Sequence, residues 1–443
     1  MVMSRSIEGL FSHGDPDDRR LVLRVDRIEF VLFTLWVGVT FVQFDNDELL
    51  LYPLALYYAV MAWQKRDRTV PLALRAWPIM LFPLWCYLTV FWAIMPIEAA
   101  KGATYLLLTN VICVYIAATL DARRILYAVF LATGAIGLLN LVLGIATGNM
   151  LTAVFVHKNI LGSNMVVLWL VSLAVLLDTG SGWRLRLAGA GLAPIALYLV
   201  AHSNSATAML LAIALGAICI SGALILRGGL LRASRIALLC ATIATASGIA
   251  SQVVPVYQGD LAGEVLSKFG KDKTLTGRTL LWHYAEEQIE EQPMLGVGMG
   301  GFWRYQASPL VRRIYEEFHK GPYAQFQFHN SYYEIAVHQG LVGVGFLLAG
   351  IAWVTVWIWR RALVSAAMPQ VFFLCIWAAT LVRGLTESDF MRPFVLLQML
   401  FWIGALTAIA ARMRSQTPRP PVSRPLRLAD RGRPIRPVDR LPS

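Results

Sequence analysis

Within QFHNSYYEIAVHQG, residues 327–340, four groups able to bind a polar ligand or hold a proton follow one another: His329, Asn330, Glu334 and His338. A helix starting near Asn330 sets Asn330, Glu334 and His338 at i, i+4 and i+8, a single stripe on one face. His329 then stands at the N-terminal edge, beside Tyr332 and Tyr333. The residues that follow are apolar enough to lie in a membrane, where ionisable groups are costly unless they face a cavity or a partner. The stripe is therefore expected to line a pocket filled by water or substrate. Taken alone, His329 also fits an interfacial histidine with ordinary hydrogen bonds. Zinc is not implied, because His329 and His338 have no spaced carboxylate or cysteine set to complete a ligand shell.

Further groups of this kind lie upstream and downstream. TLTGRTLLWHYAEEQIEEQP predicts a helix over 278–291, closed by Pro293, with Arg278 in its first turn. A helix start favours an anion, so an arginine there makes most sense if both address one phosphate; the alternative is a solvated arginine. LGVGMGGFWRY, 295–305, has a G-x-G-x-G spacing but no dinucleotide-type strand and helix around it, and reads as a tight turn. FVHKNILGSN puts His157, Lys158 and Asn159 at the start of a span, where helix dipole and ammonium can hold a negative group. AHSNSATAM places Ser205, after His202, Ser203 and Asn204, as a helix cap. LVRGLTESDFMRP sets Arg383, Glu387, Asp389 and Arg392 around a short loop, where mutual ion pairing is the plain expectation.

The elements that must position these groups are membrane helices. Of 443 residues 57% are hydrophobic and only 15% charged, against about a quarter charged in soluble domains. Charge-poor runs near the roughly 20 residues needed to cross a bilayer recur throughout. About twelve are expected, at 28–44, 49–64, 76–95, 102–120, 125–147, 160–178, 187–202, 206–226, 236–255, 331–358, 369–386 and 394–411. The organisation that follows is a segment 1–27, spans one to nine over 28–255, a long loop 256–330, spans ten to twelve over 331–411, and a basic tail 412–443. Basic residues gather on alternate sides: 27 of the 39 fall in 1–27, in every second short loop and in the tail. By the positive-inside rule both termini are cytoplasmic, and every motif above faces outward. The +12 net charge thus reports topology, not nucleic acid. No cleavable signal is expected at the polar N-terminus. The five cysteines fall singly inside predicted spans, as apolar filler. The tail, with nine Arg and seven Pro, is expected to be disordered, a topology anchor or an adhesive for anionic lipid or an acidic partner.

In this order and on this side, the motifs resemble the O-antigen ligase and polymerase superfamily. The resemblance rests on H-K-N-x-L-G before one span, S-x-S-x-T before another, G-R-x-x-x-W (Gly277, Arg278, Trp282), G-x-G-x-G-x-F (Gly296 to Phe302) and H-N-x-Y entering a Gly-rich span. It covers about 155–392, and HKN and TESDF look most like exopolysaccharide polymerases of the succinoglycan type. It implies an all-α, polytopic, GT-C-like fold of about twelve transmembrane helices with short helices in one long periplasmic loop. It implies a metal-independent glycosyltransferase without cofactor, in the bacterial inner membrane, using an undecaprenyl-diphosphate-linked glycan. Arg278 matches the family's diphosphate-binding arginine and His329 its catalytic histidine; Asn330 and Glu334 are expected to orient that histidine or contact sugar, with Tyr333 and Glu387 as further substrate contacts. The arginine that many ligases carry after the serine equivalent to Ser205 is absent, Ala206 and Thr207 following instead. Lys158 with His157 and Asn159, or Arg312 and Arg313, are the candidates to replace it. Expected partners are the lipid-linked glycan, membrane lipid and a chain-length-control or export protein. Ligation to lipid A core or to protein is the alternative reaction; a secondary transporter is the alternative class, disfavoured because the polar groups gather at one surface.

Overall fold

The computed structural model describes residues 16–42, 46–155, 157–227, 277–365 and 367–416, with isolated positions 237, 240, 241 and 244. Apart from those four positions, the predicted span 236–255 lies outside the described residues, as do the first part of the long loop (256–276), residues 1–15 and most of the tail (417–443). Among the described residues the regular structure is helical throughout.

The helices are α1 (Pro16–Phe41), α2 (Glu48–Gln64), α3 (Arg66–Arg75), α4 (Pro78–Leu88), α5 (Pro96–Thr119), α6 (Ala122–Thr147), α7 (Lys158–Leu177), α8 (Trp183–His202), α9 (Ala206–Arg227), α10 (Arg278–Glu291), α11 (Pro309–Glu317), α12 (Ser331–Val364), α13 (Met368–Gly384) and α14 (Leu396–Gln416). Seven of them, α5 to α9, α12 and α14, are long and apolar enough to cross a membrane. The count rises to eight if the bent pair of α3 with Pro78–Phe91 is one span. The expected twelve is therefore not reached among the described residues. The expected span 76–95 is the clearest departure: it meets α3 at an angle of 89°, with the Lys65, Arg66 and Arg68 cluster at the start of the bent pair. Helices α2 and α13 have 17 residues each, at the lower limit for a span of about 17–25. The N-terminal half of α1 is crowded with charge, from Asp17 to Glu29.

Packing follows the small residues. The α7–α8 hairpin is the tightest pair, because a side chain at Gly189 would sit 2.9 Å from the Ser172 carbonyl, so the backbones touch. Its turn is locked by Asp178, which accepts from Ser181 Oγ at 3.0 Å and pairs with Arg123 Nε at 3.1 Å. Helix α14 is central, 83% of its apolar stretch being buried, whereas α12 is peripheral at 28%. Helix α13 packs on α7, α9, α12 and α14, and so ties the motif-bearing helices together.

The described part of the long loop forms a small core of its own, built on Trp282, Phe302, Ile314, Tyr315 and Phe328 and closed by Val337 of α12. It is spliced into α12. Gly340 has φ 67° and ψ −179°, which interrupts the helix. The carbonyls of Val337 and His338 lose their helical partners and accept instead from Val297 N (3.1 Å) and Gly298 N (2.9 Å). The freed N–H groups of Leu341 and Val342 donate to Pro293 O (2.8 Å) and Met294 O (3.3 Å). Trp85 Nε1 takes the Gln339 carbonyl at 3.0 Å. A buried break in a helix is tolerable only when its orphaned groups are paired in this way. The close approach explains the glycines: a Cβ at Gly296 would lie 2.6 Å from Gly340 N and from Val337 O. The G-x-G-x-G spacing thus serves a backbone splice.

Candidate active site

Helix α10 starts at Arg278 because Gly277, at φ 80°, turns the chain in a left-handed conformation that a side chain would resist. One turn on, Trp282 donates through Nε1 to the Phe328 carbonyl at 2.9 Å and stacks on Tyr333, ring centroids 5.7 Å apart. That pins the start of α10 to the segment carrying His329. Asn330 caps α12, its Oδ1 accepting from Tyr332 N (2.9 Å) and Tyr333 N (3.3 Å). His329 precedes the cap at φ 52°, a left-handed backbone uncommon for a residue with a side chain. Ser331 then reaches across to the loop after α13, donating to the Glu387 carbonyl at 2.7 Å.

These ties bring three charged groups together. Glu387 Oε1 lies 3.4 Å from Arg278 Nη2, and Glu387 Oε2 lies 3.3 Å from His329 Nδ1. The arginine and the carboxylate are each 18% exposed and the histidine 31%, so the centre is open to a ligand on the histidine side. With Nδ1–H donating to the carboxylate, Nε2 is left with its lone pair free to take a proton. Gln327 Nε2, 3.4 Å from the same Nδ1, is the weaker neighbour beside a charge-assisted contact. Burial draws the Arg278 guanidinium below its ordinary value, against the opposing pull of Glu387. Burial pushes the Glu387 carboxyl up, but the His329 hydrogen bond and the charges of Arg383, His329 and Arg278 outweigh it and hold it below the usual carboxylate range.

Other sequence-predicted residues are placed differently. Asn330 and Glu334 are buried and engaged within the protein: Asn330 in the cap, Glu334 by Trp303 Nε1 (2.6 Å), Phe328 N (2.8 Å) and Ser388 Oγ (3.1 Å). The stripe Asn330–Glu334–His338 therefore faces the loop core and not an open pocket. Tyr333 donates to Glu286 Oε1 at 2.7 Å. Arg313 is engaged by Glu287 at 3.4 Å, and Arg312 lies exposed on the same helix. Of the four charges expected to pair among themselves, Arg383 and Asp389 do so in bidentate fashion (2.7 and 3.1 Å), which leaves Glu387 for Arg278 and His329. His157, Lys158 and Asn159 are exposed at the start of α7. A Cβ at Gly162 would lie 2.7 Å from Ser203 Oγ and 3.1 Å from Ser205 Cβ, so the first turns of α7 and α9 adjoin. Helix α13, which leads into the loop carrying Glu387, packs on both α7 and α9. Among the described residues no group of three or more His, Cys, Asp or Glu could hold a metal ion. The bridging role of Glu387 was not readable from the sequence, since its partners are 58 and 109 residues away.

The fold and site define a polytopic, all-helical membrane protein with one charged centre where a loop subdomain meets a broken helix. Residues 191–348 match the O-Antigen ligase family, a stretch that takes in the second half of α8, α9, Arg278 and His329 but stops short of Glu387. Over 354 residues the chain is 30% identical to the Exopolysaccharide production protein ExoQ of Rhizobium meliloti (strain 1021), covering 76% of this chain and 78% of that one. The chain belongs to the O-antigen ligase and polymerase superfamily of membrane polysaccharide enzymes.

Proposed function

We propose that this protein polymerises undecaprenyl-diphosphate-linked oligosaccharide repeats into exopolysaccharide on the periplasmic side of the inner membrane. The observation that carries the reading is that Arg278 and His329, from separate segments, meet on one carboxylate. An acceptor hydroxyl attacks the anomeric carbon of the lipid-linked sugar. The new carbon–oxygen bond forms as the bond to the diphosphate oxygen breaks, and undecaprenyl diphosphate leaves with its electron pair. His329 Nε2 takes the hydroxyl proton, and Glu387 holds the imidazole in the required tautomer and stabilises the imidazolium that results. Arg278 addresses the charge that grows on the diphosphate, with the exposed Lys158 as the second cation. The leaving group is a good one, so positioning and charge stabilisation are the main tasks. A metal has no assigned step in this scheme.

Arg278→Ala and His329→Ala are each expected to abolish polymer formation in a reconstituted assay with a lipid-linked donor, at unchanged protein level in the membrane. Full activity of both variants defeats the assignment. Ligation to lipid A core is the second reading, favoured by the description of the family that matches residues 191–348. A deletion strain separates the two: lost secreted polymer supports polymerisation, and uncapped lipid A core supports ligation.

A further inference from the structure

Glu334 lies beside the segment that carries His329, with only 5% of its surface exposed. Its Oε1 meets Trp303 Nε1 at 2.6 Å and His338 Nε2 at 3.3 Å. Its Oε2 meets Phe328 N at 2.8 Å and Ser388 Oγ at 3.1 Å. An indole N–H and a backbone N–H can only donate, and there is one of them on each oxygen. An amide in this place would turn its own N–H groups onto one of those donors.

His338 braces this side chain and is itself 2% exposed. Its Nδ1 lies 3.1 Å from the Gly298 carbonyl, a group that only accepts, so Nδ1 donates there, and its Nε2 lies 3.3 Å from Glu334 Oε1.

We propose that Glu334, braced by His338, positions His329 and Glu387 without touching the substrate. The inference rests on the reading of His329 as the group that takes the acceptor proton. Glu334 holds the N–H of Phe328, the residue before His329, and the hydroxyl of Ser388, the residue after Glu387. Both arms of the His329–Glu387 contact are thus gripped by one side chain. A histidine at φ 52° persists only where its surroundings over-determine it, and the Phe328 anchor supplies that constraint. Through Gly298, His338 fixes this brace to the splice between the loop and α12.

The full-length protein in lipid nanodiscs tests the positioning by kinetics at equal amounts of folded protein. Glu334→Gln is expected to lower kcat about a hundredfold, the scale of an ångström-level misplacement, with the KM for lipid-linked donor little changed. Ser388→Ala, which removes a single donor, keeps the test open should Glu334→Gln fail to accumulate, and is expected to lower kcat several-fold with the same KM. Unchanged kcat in both variants, with His329→Ala inactive, overturns the positioning role alone. An active His329→Ala overturns the assignment of His329 and the positioning role with it.

Discussion

Glu387→Gln isolates the charge of the bridging carboxylate, because the amide keeps its shape. A unit charge at about 3.3 Å from a developing imidazolium is worth about 5 kcal/mol at an effective dielectric of about 20. His329 is 31% exposed, so solvent screening reduces this to about 2–3 kcal/mol. The amide also turns an N–H toward either Arg278 or His329, both of which need acceptors. At about 1.4 kcal/mol per tenfold, kcat should fall about 30- to 150-fold. The assay is single-turnover transfer from a lipid-linked donor to an oligosaccharide acceptor in nanodiscs, with the variant's amount checked by size-exclusion chromatography. A rate within about threefold of wild type would refute the idea that this carboxylate stabilises the cationic histidine.

The remaining predictions concern charge, pH and backbone. Arg278→Lys keeps the charge but loses the planar fork, so KM for the lipid-linked donor should rise about tenfold with a smaller fall in kcat, measured by initial rates. The Glu387 carboxyl is held below its ordinary range in the folded protein, so it binds fewer protons there than in the unfolded chain. The stability it contributes is complete above the ordinary carboxylate value of about 4 and is lost as pH falls through the depressed one; the Tm gap between wild type and Glu387→Gln should close over that acid window. Gly340→Ala places a Cβ 2.1 Å from the Met294 carbonyl and forces an alanine to φ 67°, ψ −179°. It should destabilise by more than about 3 kcal/mol, visible as loss of detergent-stable protein.

Much of the architecture was legible because lipid leaves few alternatives: apolar runs of the right length become helices, and α5 to α9 and α14 lie close to the runs that announced them. What escaped was local. Nothing in the run 76–95 declares a right-angled elbow, which depends on how α3 and α4 pack against α5. At the site, single residues could be nominated but their partners could not. Asn330, Glu334 and His338 were correctly placed on one face, yet periodicity says nothing of what that face meets, and it meets the loop core. Glu387 and Asp389 stand two residues apart with the same charge, and only tertiary geometry sends one to Arg383 and the other to Arg278 and His329. The glycines of residues 296–300 were legible as a turn, but their purpose required sight of the gap in α12.

That gap has a bearing on how the protein comes apart. Residues 293–298 and 337–342 trade backbone partners, so neither can open without stranding donors and acceptors of the other. The amides of Val297, Gly298, Leu341 and Val342 should consequently exchange with deuterium as a single cooperative unit. During synthesis the segment 293–298 emerges first and waits unpaired, and the site around His329 takes its final shape only once α12 has arrived to complete the exchange.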